Sequence, residues 1–412
     1  MIRQIWIYGL STAIQKGAAL VYLPIIIKIV SLEEFGIYSL IQTGVQFLIP
    51  ILSFGGSAAI LREGTENSTI AFNYLIKFSI ITFTLGFLLT GICWTFDTTP
   101  FSWLTFTLAI ATVEALLLLL STCIRSLNNS YNYLLFSIIK ALGILGVILI
   151  VNYANFSITE ILFGQIIWYI CLALVYFILL FNYKLQIITK VPSVSLWKVF
   201  PYTIPLIPHS VSQWIMSSSD RFIIEVYLGS KEVGIYSVAY TVSLIMMLIN
   251  SGIALSLPQY VVTNYKQWIS SKFKRTFLQV YSILIFLMAL TIQIYIKYDR
   301  YLFNFLPEEK SLIHEVSLLI CYGLYFLGIY YLYSSIIFYH KKTIIIAKQT
   351  LVAALINIIM TINLVPKIGV TGAAIATAIS YLIYLVLVII SSVKLEKILI
   401  TQIFGDAIYI SI

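Results

Sequence analysis

The sequence has little charge. Of its 412 residues only 10% are Asp, Glu, Lys or Arg, whereas 60% are hydrophobic and the mean hydropathy is +0.99. A soluble domain carries about one quarter charged residues, so this chain lacks the polar surface that would cover it in water. Its apolar runs are long and continuous, without the period-two alternation of porin strands. The composition therefore excludes a soluble enzyme, a disordered chain and a β-barrel porin, and it predicts a membrane protein.

Residues that build metal and catalytic sites are also scarce. The sequence has three His and four Cys, and the cysteines are scattered singly through apolar stretches without metal-ligand spacing. It contains no P-loop, no Ser-His-Asp arrangement, no His-Glu-x-x-His and no Asp-rich motif for metal-bound nucleotide sugars. We therefore expect no catalytic residue, no metal and no cofactor, and we expect movement of a substrate across the membrane instead of an enzymatic reaction.

Apolar runs bounded by charge, Pro, Asn and Gly divide the chain into twelve predicted spans, each near the roughly 20 residues that cross a bilayer. With the N-terminus inside, the connections hold sixteen Lys and Arg inside and seven outside, the bias expected when both termini are cytoplasmic. This bias accounts for the net charge of +9, which therefore does not indicate nucleic acid. The spans are residues 8–30, 37–61, 71–94, 101–123, 132–152, 160–182, 202–228, 234–258, 277–296, 312–338, 348–364 and 369–392.

The longest inside connection and a short repeat predict two halves. The connection divides an N-terminal bundle (1–183) from a cytoplasmic linker (184–200), a C-terminal bundle (201–393) and a cytoplasmic tail (394–412). Ser31-Leu-Glu-Glu-Phe-Gly-Ile-Tyr-Ser39 matches Gly229-Ser-Lys-Glu-Val-Gly-Ile-Tyr-Ser237 at an offset of 198. Both copies fall in the outside turn after the first span of their bundle. We therefore predict an all-α polytopic fold of about twelve transmembrane helices, in two six-helix bundles related by a pseudo-two-fold axis along the membrane normal.

Ionisable side chains inside the spans are the candidates for function, because each costs about 2.5–3.5 kcal/mol at a helix centre on insertion scales. Most of them are cationic. A water-filled cavity lined by Lys and Arg favours an anionic substrate, and the planar fork of Arg can bind two phosphate oxygens at once. The candidate substrate-binding residues of this cationic cavity are Lys16, Lys28, Arg62, Arg125, Lys140 and Arg221, of which Lys16 and Lys140 are least able to reach an interface.

Several of these charged residues could have a structural role instead of a role in transport. Glu114 and Asp220 are candidates for ion coupling, but Glu114 could instead neutralise a Lys on a neighbouring helix, and Asp220 could form a structural ion pair with Arg221. Arg62 and Arg125 could be orientation anchors at the inner ends of their spans. Lys28 could extend to the outer interface.

Proline interrupts the first and seventh spans. Pro24 in the first, and Pro205 and Pro208 in the seventh, remove backbone hydrogen bonds and predict broken or bent helices. Interrupted helices often mark hinges or binding sites in transporters. The small residues of Phe54-Gly55-Gly56 predict close helix packing and no chemical role.

Six short patterns are spread over nearly the whole chain. They are Leu32-Glu-Glu-Phe-Gly-Ile-Tyr-Ser39, Ala58-Ala-Ile-Leu-Arg62, Ile207-Pro-His209, Ser219-Asp-Arg-Phe-Ile-Ile224, Glu232-Val-Gly-Ile-Tyr236 and Gly369-Val-Thr-Gly-Ala-Ala-Ile-Ala376. On these patterns the chain resembles the polysaccharide-exporter branch of the multidrug/oligosaccharidyl-lipid/polysaccharide exporter superfamily, especially the Wzx O-antigen flippases. Arg62 and the pair Asp220-Arg221 match the family patterns directly.

The resemblance implies two bundles around a central cavity and a flippase in the bacterial inner membrane. Its substrate would be an undecaprenyl-diphosphate-linked oligosaccharide, moved from the cytoplasmic to the periplasmic leaflet by alternating access. Membrane lipids, H⁺ or Na⁺ as coupling ion and a polysaccharide polymerase are the implied partners. A multidrug exporter on the same fold is the first alternative, although it should prefer an acidic cavity. An O-antigen polymerase is the second, although it needs a long outside loop and the longest here is only about residues 297–311.

Overall fold

The computed structural model describes residues 2–64, 67–96, 103–127, 129–154, 157–187, 195–263, 272–298, 306–340 and 342–409. All regular structure in these ranges is helical, which confirms the all-α class. A 3₁₀ helix, Leu196–Lys198, accompanies fifteen α-helices. These are α1 (Ile2–Ile29), α2 (Leu32–Leu52), α3 (Gly56–Gly64), α4 (Ser68–Phe96), α5 (Trp103–Ser126), α6 (Ser130–Ala154), α7 (Ile158–Ile187), α8 (Phe200–Thr203), α9 (Leu206–Ser218), α10 (Asp220–Leu228), α11 (Ser230–Thr263), α12 (Lys272–Tyr298), α13 (Lys310–Tyr339), α14 (Thr343–Ile368) and α15 (Val370–Tyr409).

Each of the twelve predicted spans coincides with a helix or with a group of shorter helices. The second span is α2 and α3, the seventh is α8 to α10, and each of the other ten is one helix. Nine of the described helices are long and apolar enough to cross a membrane, judged by length and composition. The protein is therefore a multi-pass membrane protein.

The start of α2 is set by a capping box. The Ser31 hydroxyl accepts a hydrogen bond from the Glu34 backbone N–H, and the Glu34 carboxylate accepts one from the Ser31 backbone N–H at 2.9 Å. These two bonds satisfy donors that a helix N-terminus otherwise leaves free. In the second copy of the repeat, Gly229 replaces Ser31 and precedes α11 with a φ of 90°, a conformation that glycine adopts without strain.

The second span is broken between α2 and α3. Phe54 and Gly55 have φ angles of 49° and 62°, so two successive residues are left-handed. A Cβ on Gly55 would lie 2.6 Å from the Thr203 carbonyl oxygen, and the Phe54 ring packs against Phe200 at 6.4 Å between centroids. The prediction that this segment only allows close packing was therefore incomplete. It is a break in a helix, stabilised by the segment that begins the seventh span.

Proline has different effects in the first and seventh spans. Helix α1 continues through Pro24, so the predicted break is absent there. In the seventh span, Ile204 and Pro205 form a turn between α8 and α9, and Pro208 lies near the start of α9. A second interruption at Ser219 separates α9 from α10. This span therefore consists of three short helices.

The chain divides into two compact units. Unit 1 comprises Met1–Trp214 together with Leu228–Ser237, and unit 2 comprises Ile215–Tyr227 together with Val238–Ile412. The predicted domain boundaries at residues 183, 200 and 393 stay predictions. The second copy of the repeat lies in unit 1, so α11 begins in unit 1 and continues in unit 2.

Each unit is organised around well-buried helices. In unit 1, α5 is the most enclosed of the candidate spans, because 72% of the residues in its apolar stretch are buried. In unit 2, α13 and α15 pack together and are 50% and 56% buried by the same measure. Large apolar side chains such as Phe87 of α4 and Phe286 of α12 are exposed, as expected of faces that contact lipid.

Candidate functional site

An ion pair lies inside the helical bundle of unit 1. The Lys140 ammonium of α6 is 2.5 Å from a carboxylate oxygen of Glu114 on α5, and the two side chains are 18% and 21% exposed. Each group neutralises the other, which lowers the cost of placing both within membrane-spanning helices. From the sequence, Glu114 was a candidate either for ion coupling or for neutralising a Lys on a neighbouring helix. In the structure it forms an ion pair with Lys140.

Aromatic and amide groups surround Lys140. Its ammonium lies 4.9 Å from the ring centroid of Tyr169 on α7, within the range of a cation–π contact. One turn earlier on α7, Gln165 exchanges hydrogen bonds with Gln42 of α2 at 2.8 and 3.3 Å. The Tyr22 hydroxyl of α1 donates to the Ala141 carbonyl at 2.5 Å. Glu114 and Tyr169 thus contact Lys140 directly, whereas the bonds of Gln42 and Tyr22 link α2 to α7 and α1 to α6.

The chemistry of this pair follows from its partial exposure. A lysine is a compact cation with three donors, and Glu114 is here its anionic partner. Because neither side chain is fully buried, an incoming phosphate can take the place of the carboxylate without leaving the lysine unpaired.

Unit 2 contains a second ion pair, which is more deeply buried. An Arg221 guanidinium nitrogen is 3.6 Å from an Asp220 carboxylate oxygen, and the side chains are 8% and 2% exposed. The guanidinium also lies 4.5 Å from the ring centroid of Tyr240 on α11 and donates to the Ser217 carbonyl at 3.4 Å. Asp220 begins α10, where a carboxylate is favoured by the helix dipole.

Oxygen-rich side chains adjoin Asp220. The Thr377 hydroxyl of α15 donates to the second Asp220 carboxylate oxygen at 3.4 Å. The Asn357 amide of α14 donates to Ser380 at 3.2 Å and to Thr377 at 3.5 Å. The Asn357 Oδ1 is buried without a hydrogen-bond partner among the described residues. Carboxylate, hydroxyl and amide oxygens are the donors that hard cations prefer.

Three other predicted cations, Lys28, Arg62 and Arg125, lie at the ends of helices. Lys28 is exposed in the last turn of α1. Arg62 is 62% exposed in the last turn of α3, 3.7 Å from Glu63 and 4.9 Å from the Tyr202 ring centroid. Arg125 is exposed in the last turn of α5. The backbone of Lys16 belongs to α1, but its side chain lies outside the described residues.

Helix α2 separates two of the predicted cations. The 21 residues of α2 separate Lys28 from Arg62, a distance of about 30 Å at the rise of an α-helix. Lys140 lies near the middle of α6. Within unit 1, Lys28, Arg62 and Lys140 thus lie on three different helices, α1, α3 and α6.

Sequence reasoning missed the residues that complete both pairs. Tyr169, Asn357 and Thr377 carry polar groups at the centre of apolar helices, and this depth was the signal that could have identified them. The structure also shows no group of three His, Cys, Asp or Glu residues suited to a metal ion in the part of the chain that it describes.

Solved transporter structures share this fold. An outward-facing multidrug resistance MATE family transporter has a TM-score of 0.67 and 15% identity, covering 96% of each chain. An inward-facing one has a TM-score of 0.67 and 13% identity, covering 93% of this chain and 96% of the other. The lipid II flippase MurJ has a TM-score of 0.65 and 17% identity, covering 98% of this chain and 92% of the other. These neighbours confirm the predicted two-bundle polytopic fold.

Sequence comparison identifies the family. No curated protein sequence matches the chain significantly. The sequence model of a family described as "Polysaccharide biosynthesis protein" matches residues 1–246, which is more than half of the chain. Together with the transporter fold and the intramembrane ion pairs, this match places the chain in the polysaccharide biosynthesis protein family.

Proposed function

We propose that this protein is a flippase for an undecaprenyl-diphosphate-linked oligosaccharide, the repeat unit of an O-antigen or related surface polysaccharide. It moves this lipid from the cytoplasmic to the periplasmic leaflet of the bacterial inner membrane, and both of its termini are cytoplasmic. The observation that carries the proposal is the half-buried Lys140–Glu114 pair, 2.5 Å apart, inside a bundle of membrane helices. The family match and the fold similarity to a lipid II flippase support it.

The cations of unit 1 define a path for a diphosphate. Arg62 and Arg125, exposed at the inner end, attract the anionic headgroup as it enters from the cytoplasmic leaflet. Lys140 binds it midway by exchanging Glu114 for a phosphate oxygen. Lys28 lies at the outer end, where the lipid leaves. Lys16 and Arg221 remain candidates for the same substrate, and alternating access carries the headgroup past them.

Ion coupling is assigned to the two paired carboxylates. Glu114 accepts a proton when its lysine is engaged by substrate. Asp220 and the hydroxyl of Thr377 offer oxygen donors that suit Na⁺, and so does the amide oxygen of Asn357, which has no hydrogen-bond partner among the described residues. Either ion would change the charge of one unit and so bias the equilibrium between inward-open and outward-open states.

A multidrug exporter is the second candidate, and the similarity to MATE transporters favours it. Such a transporter for cationic drugs needs an acidic cavity. Here the intramembrane carboxylates Glu114 and Asp220 each face a cation at 2.5 and 3.6 Å. This charge balance favours an anionic substrate over a cationic drug.

The test uses the native strain with the gene deleted. We expect undecaprenyl-diphosphate-linked single repeat units to accumulate where membrane-impermeant sugar-oxidising reagents cannot reach them, and surface polymer to disappear. Wild-type protein should restore both, and Lys140→Ala at equal membrane abundance should restore neither. Intact surface polymer in the deletion strain would refute the flippase. Restored drug resistance without any effect on lipid intermediates would identify the second candidate.

The coupling ion is tested in proteoliposomes with a fluorescent lipid-linked oligosaccharide and imposed gradients of Na⁺ or H⁺. Thr377→Val should remove the response to Na⁺ and leave the response to H⁺, whereas Glu114→Gln should do the reverse. A rate that is independent of both gradients would exclude coupling. Polymer length in cells depends on a polysaccharide polymerase, the further partner that we propose, so the vesicle assay isolates translocation from polymerisation.

A further inference from the structure

A groove of about 290 Å³ lies on the surface of unit 1. Leu116 and Leu120 of α5 form its floor, and α4 and α7 form its walls. Eight of its ten lining residues are apolar and none is charged. Of the two polar ones, Thr84 donates its hydroxyl to the Ile80 carbonyl of its own helix at 2.8 Å. The lining therefore suits hydrocarbon and not a diphosphate.

Contacts between the helices limit the groove at both ends. At one end the rings of Phe72 on α4 and Phe181 on α7 pack with their centroids 6.4 Å apart. At the other end α4 lies so close to α5 that a Cβ on Gly86 would overlap the Thr112 side chain. Between these contacts the lining positions of α4 are residues 76–84, about 12 Å of helix rise. The groove is thus an elongated depression with two closed ends.

The walls of the groove are continuous with the surface that contacts lipid. Ile80 and Phe83 of α4 and Leu174 of α7 are each more than half exposed. The Phe83 ring stacks on Phe87, an exposed residue of the lipid-facing surface of α4, at 6.0 Å between centroids. Because the core of a bilayer contains no water, whatever fills this depression in the membrane is hydrocarbon.

The predicted spans place the groove in the cytoplasmic half of the membrane. Its lining residues fall mainly in the halves of spans 71–94, 101–123 and 160–182 that the charge bias assigns to the inside. Its length along α4 fits within the roughly 15 Å of hydrocarbon in one leaflet. The groove therefore matches one chain of a lipid that belongs to the cytoplasmic leaflet.

The groove and the Lys140–Glu114 pair lie on different sides of α5. Successive residues of an α-helix are about 100° apart, so Leu116 and Leu120 lie about 200° and 240° around α5 from Glu114. A lipid whose diphosphate is bound at Lys140 would have to pass its tail around this enclosed helix to reach the groove. The geometry therefore favours a lipid molecule other than the transported one.

A basic residue adjoins the groove on its cytoplasmic side. Lys77 of α4 is half-buried, and it precedes Ile80 by three residues and Thr84 by seven, so the three share one face of the helix. Helical side chains tilt toward the N-terminus, which for α4 is the end that the charge bias places inside. The Lys77 ammonium thus extends toward the headgroups of the cytoplasmic leaflet, where an anionic phosphate complements its charge.

We propose that the groove binds one acyl chain of an anionic phospholipid of the cytoplasmic leaflet, whose phosphate lies at Lys77. The chain fills the space between α4 and α7 and supplies packing contacts that the side chains of unit 1 leave unmade. This phospholipid is a bound partner and not the cargo, so the inference goes beyond the proposed function and does not depend on it.

Native mass spectrometry of the full chain, purified in mild detergent, tests the site. We expect the wild type to retain one phosphatidylglycerol. Ala173→Trp adds a ring inside the groove and should lose this lipid. Val175→Trp is the matched control, since Val175 is exposed on the same helix but does not line the groove, and it should retain the lipid. Lys77→Gln should lower retention, and Lys77→Arg should preserve it.

Photo-crosslinking in lipid nanodiscs locates the acyl chain. Phosphatidylglycerol with a diazirine midway along one chain should label Phe83 or Leu174 of the wild type, and Ala173→Trp should lose this labelling. Phe286 of α12 is also exposed but lies outside the groove, so its labelling should be weaker and the same in both proteins.

Several results would overturn the proposal. Equal retention and labelling in Ala173→Trp and wild type would show that the groove is not the site, and equal retention by Lys77→Gln would remove the phosphate contact. Retention of an undecaprenyl lipid instead would assign the groove to the substrate tail. A dimer that Ala173→Trp dissociates would assign it to a second copy of the chain. Failure of the wild type to restore surface polymer, with phosphatidylglycerol still bound, would overturn only the proposed function.

Discussion

The two units each contain an acid–base pair with a tyrosine beside its cation, but the pairs differ in depth. Lys140 and Glu114 join separate helices, α6 and α5, and are 18% and 21% exposed. Arg221 and Asp220 are sequence neighbours on one short helix and are only 8% and 2% exposed. The distances to the tyrosine rings are similar, 4.9 Å for Lys140 and 4.5 Å for Arg221.

The difference separates a pair that can exchange partners from one that cannot easily do so. An ion in a partly exposed pair can exchange its partner for a ligand, whereas breaking a buried pair leaves an uncompensated charge. Arg221 is further held by Ser217 and Tyr240, and Asp220 by Thr377. Under the proposed function, the pair of unit 1 is therefore the better suited to exchange its carboxylate for a phosphate, and the pair of unit 2 is the less suited to such an exchange.

The largest effect is expected in unit 1. Lys140→Ala should abolish transport, because it removes the cation that accepts the phosphate and leaves Glu114 to repel it. Surface polymer and lipid-linked intermediates are the measurements. The double variant Lys140→Met/Glu114→Met should recover the stability lost by Lys140→Ala, since no unpaired charge remains, yet still fail to transport. A double variant that transports normally would show that the pair is structural only.

In unit 2 the main effect should be on stability. Arg221→Met should lower the free energy of unfolding by about 3–5 kcal/mol, because it leaves Asp220 charged and buried. Thermal unfolding of the purified protein in detergent measures this. The matched variant Asp220→Asn/Arg221→Met should recover most of the loss. If both variants were as stable as wild type, the contrast in burial between the two pairs would have no energetic consequence.

The tyrosines should have smaller effects. Tyr169→Leu removes the ring beside Lys140 and should weaken substrate binding by about 0.5–2 kcal/mol, the range of a cation–π contact. It is measured as the substrate concentration at half-maximal transport in vesicles. Tyr169→Phe keeps the ring and should stay close to wild type. Similar losses for both variants would assign the effect to the hydroxyl instead.

The smallest effect is expected at Arg62 and Arg125, the exposed arginines that the charge bias predicts at the inner ends of their spans. Arg62→Ala/Arg125→Ala should slow transport only modestly, because exposed charges contribute about 0–1 kcal/mol each and are screened by salt. Transport rates at low and high ionic strength provide the test. The difference from wild type should shrink at high salt. A complete and salt-independent loss would place these arginines in the binding site itself.

The Lys140–Glu114 pair was predictable from the sequence. Helices α5 and α6 are joined by a short turn near residue 127, and Glu114 and Lys140 lie 13 residues before and after that point. In a hairpin of two helices, residues equidistant from the turn lie at the same depth. Hydropathy similarly predicted all twelve spans, because the length and continuity of apolar runs are what a bilayer selects.

The rest depended on contacts between distant parts of the chain. Thr377 reaches Asp220 across 157 residues, and no local pattern indicates such a contact. The break at Phe54 and Gly55 has no proline within it and depends on packing against Thr203 and Phe200. Pro24, by contrast, is tolerated within a continuous helix. Whether a helix breaks or continues at these positions depends on tertiary packing and cannot be predicted from local helix propensity.

The two copies of the internal repeat meet in unit 1, where the hydroxyl oxygens of Ser39 and Ser237 are 2.6 Å apart, and this contact has an evolutionary consequence. A contact between equivalent segments is isologous, as in a two-fold symmetric dimer, so each residue at the axis packs against its own copy. Away from the axis the copies have drifted apart, with Phe35 opposite Val233 in sequence and Glu33 opposite Lys231. Within the shared Gly-Ile-Tyr-Ser, Ser39 contacts Ser237, and Gly36 and Gly234 each lie against the backbone of the other copy. The internal symmetry of this chain is thus the geometry of a homodimer interface, joined into a single polypeptide.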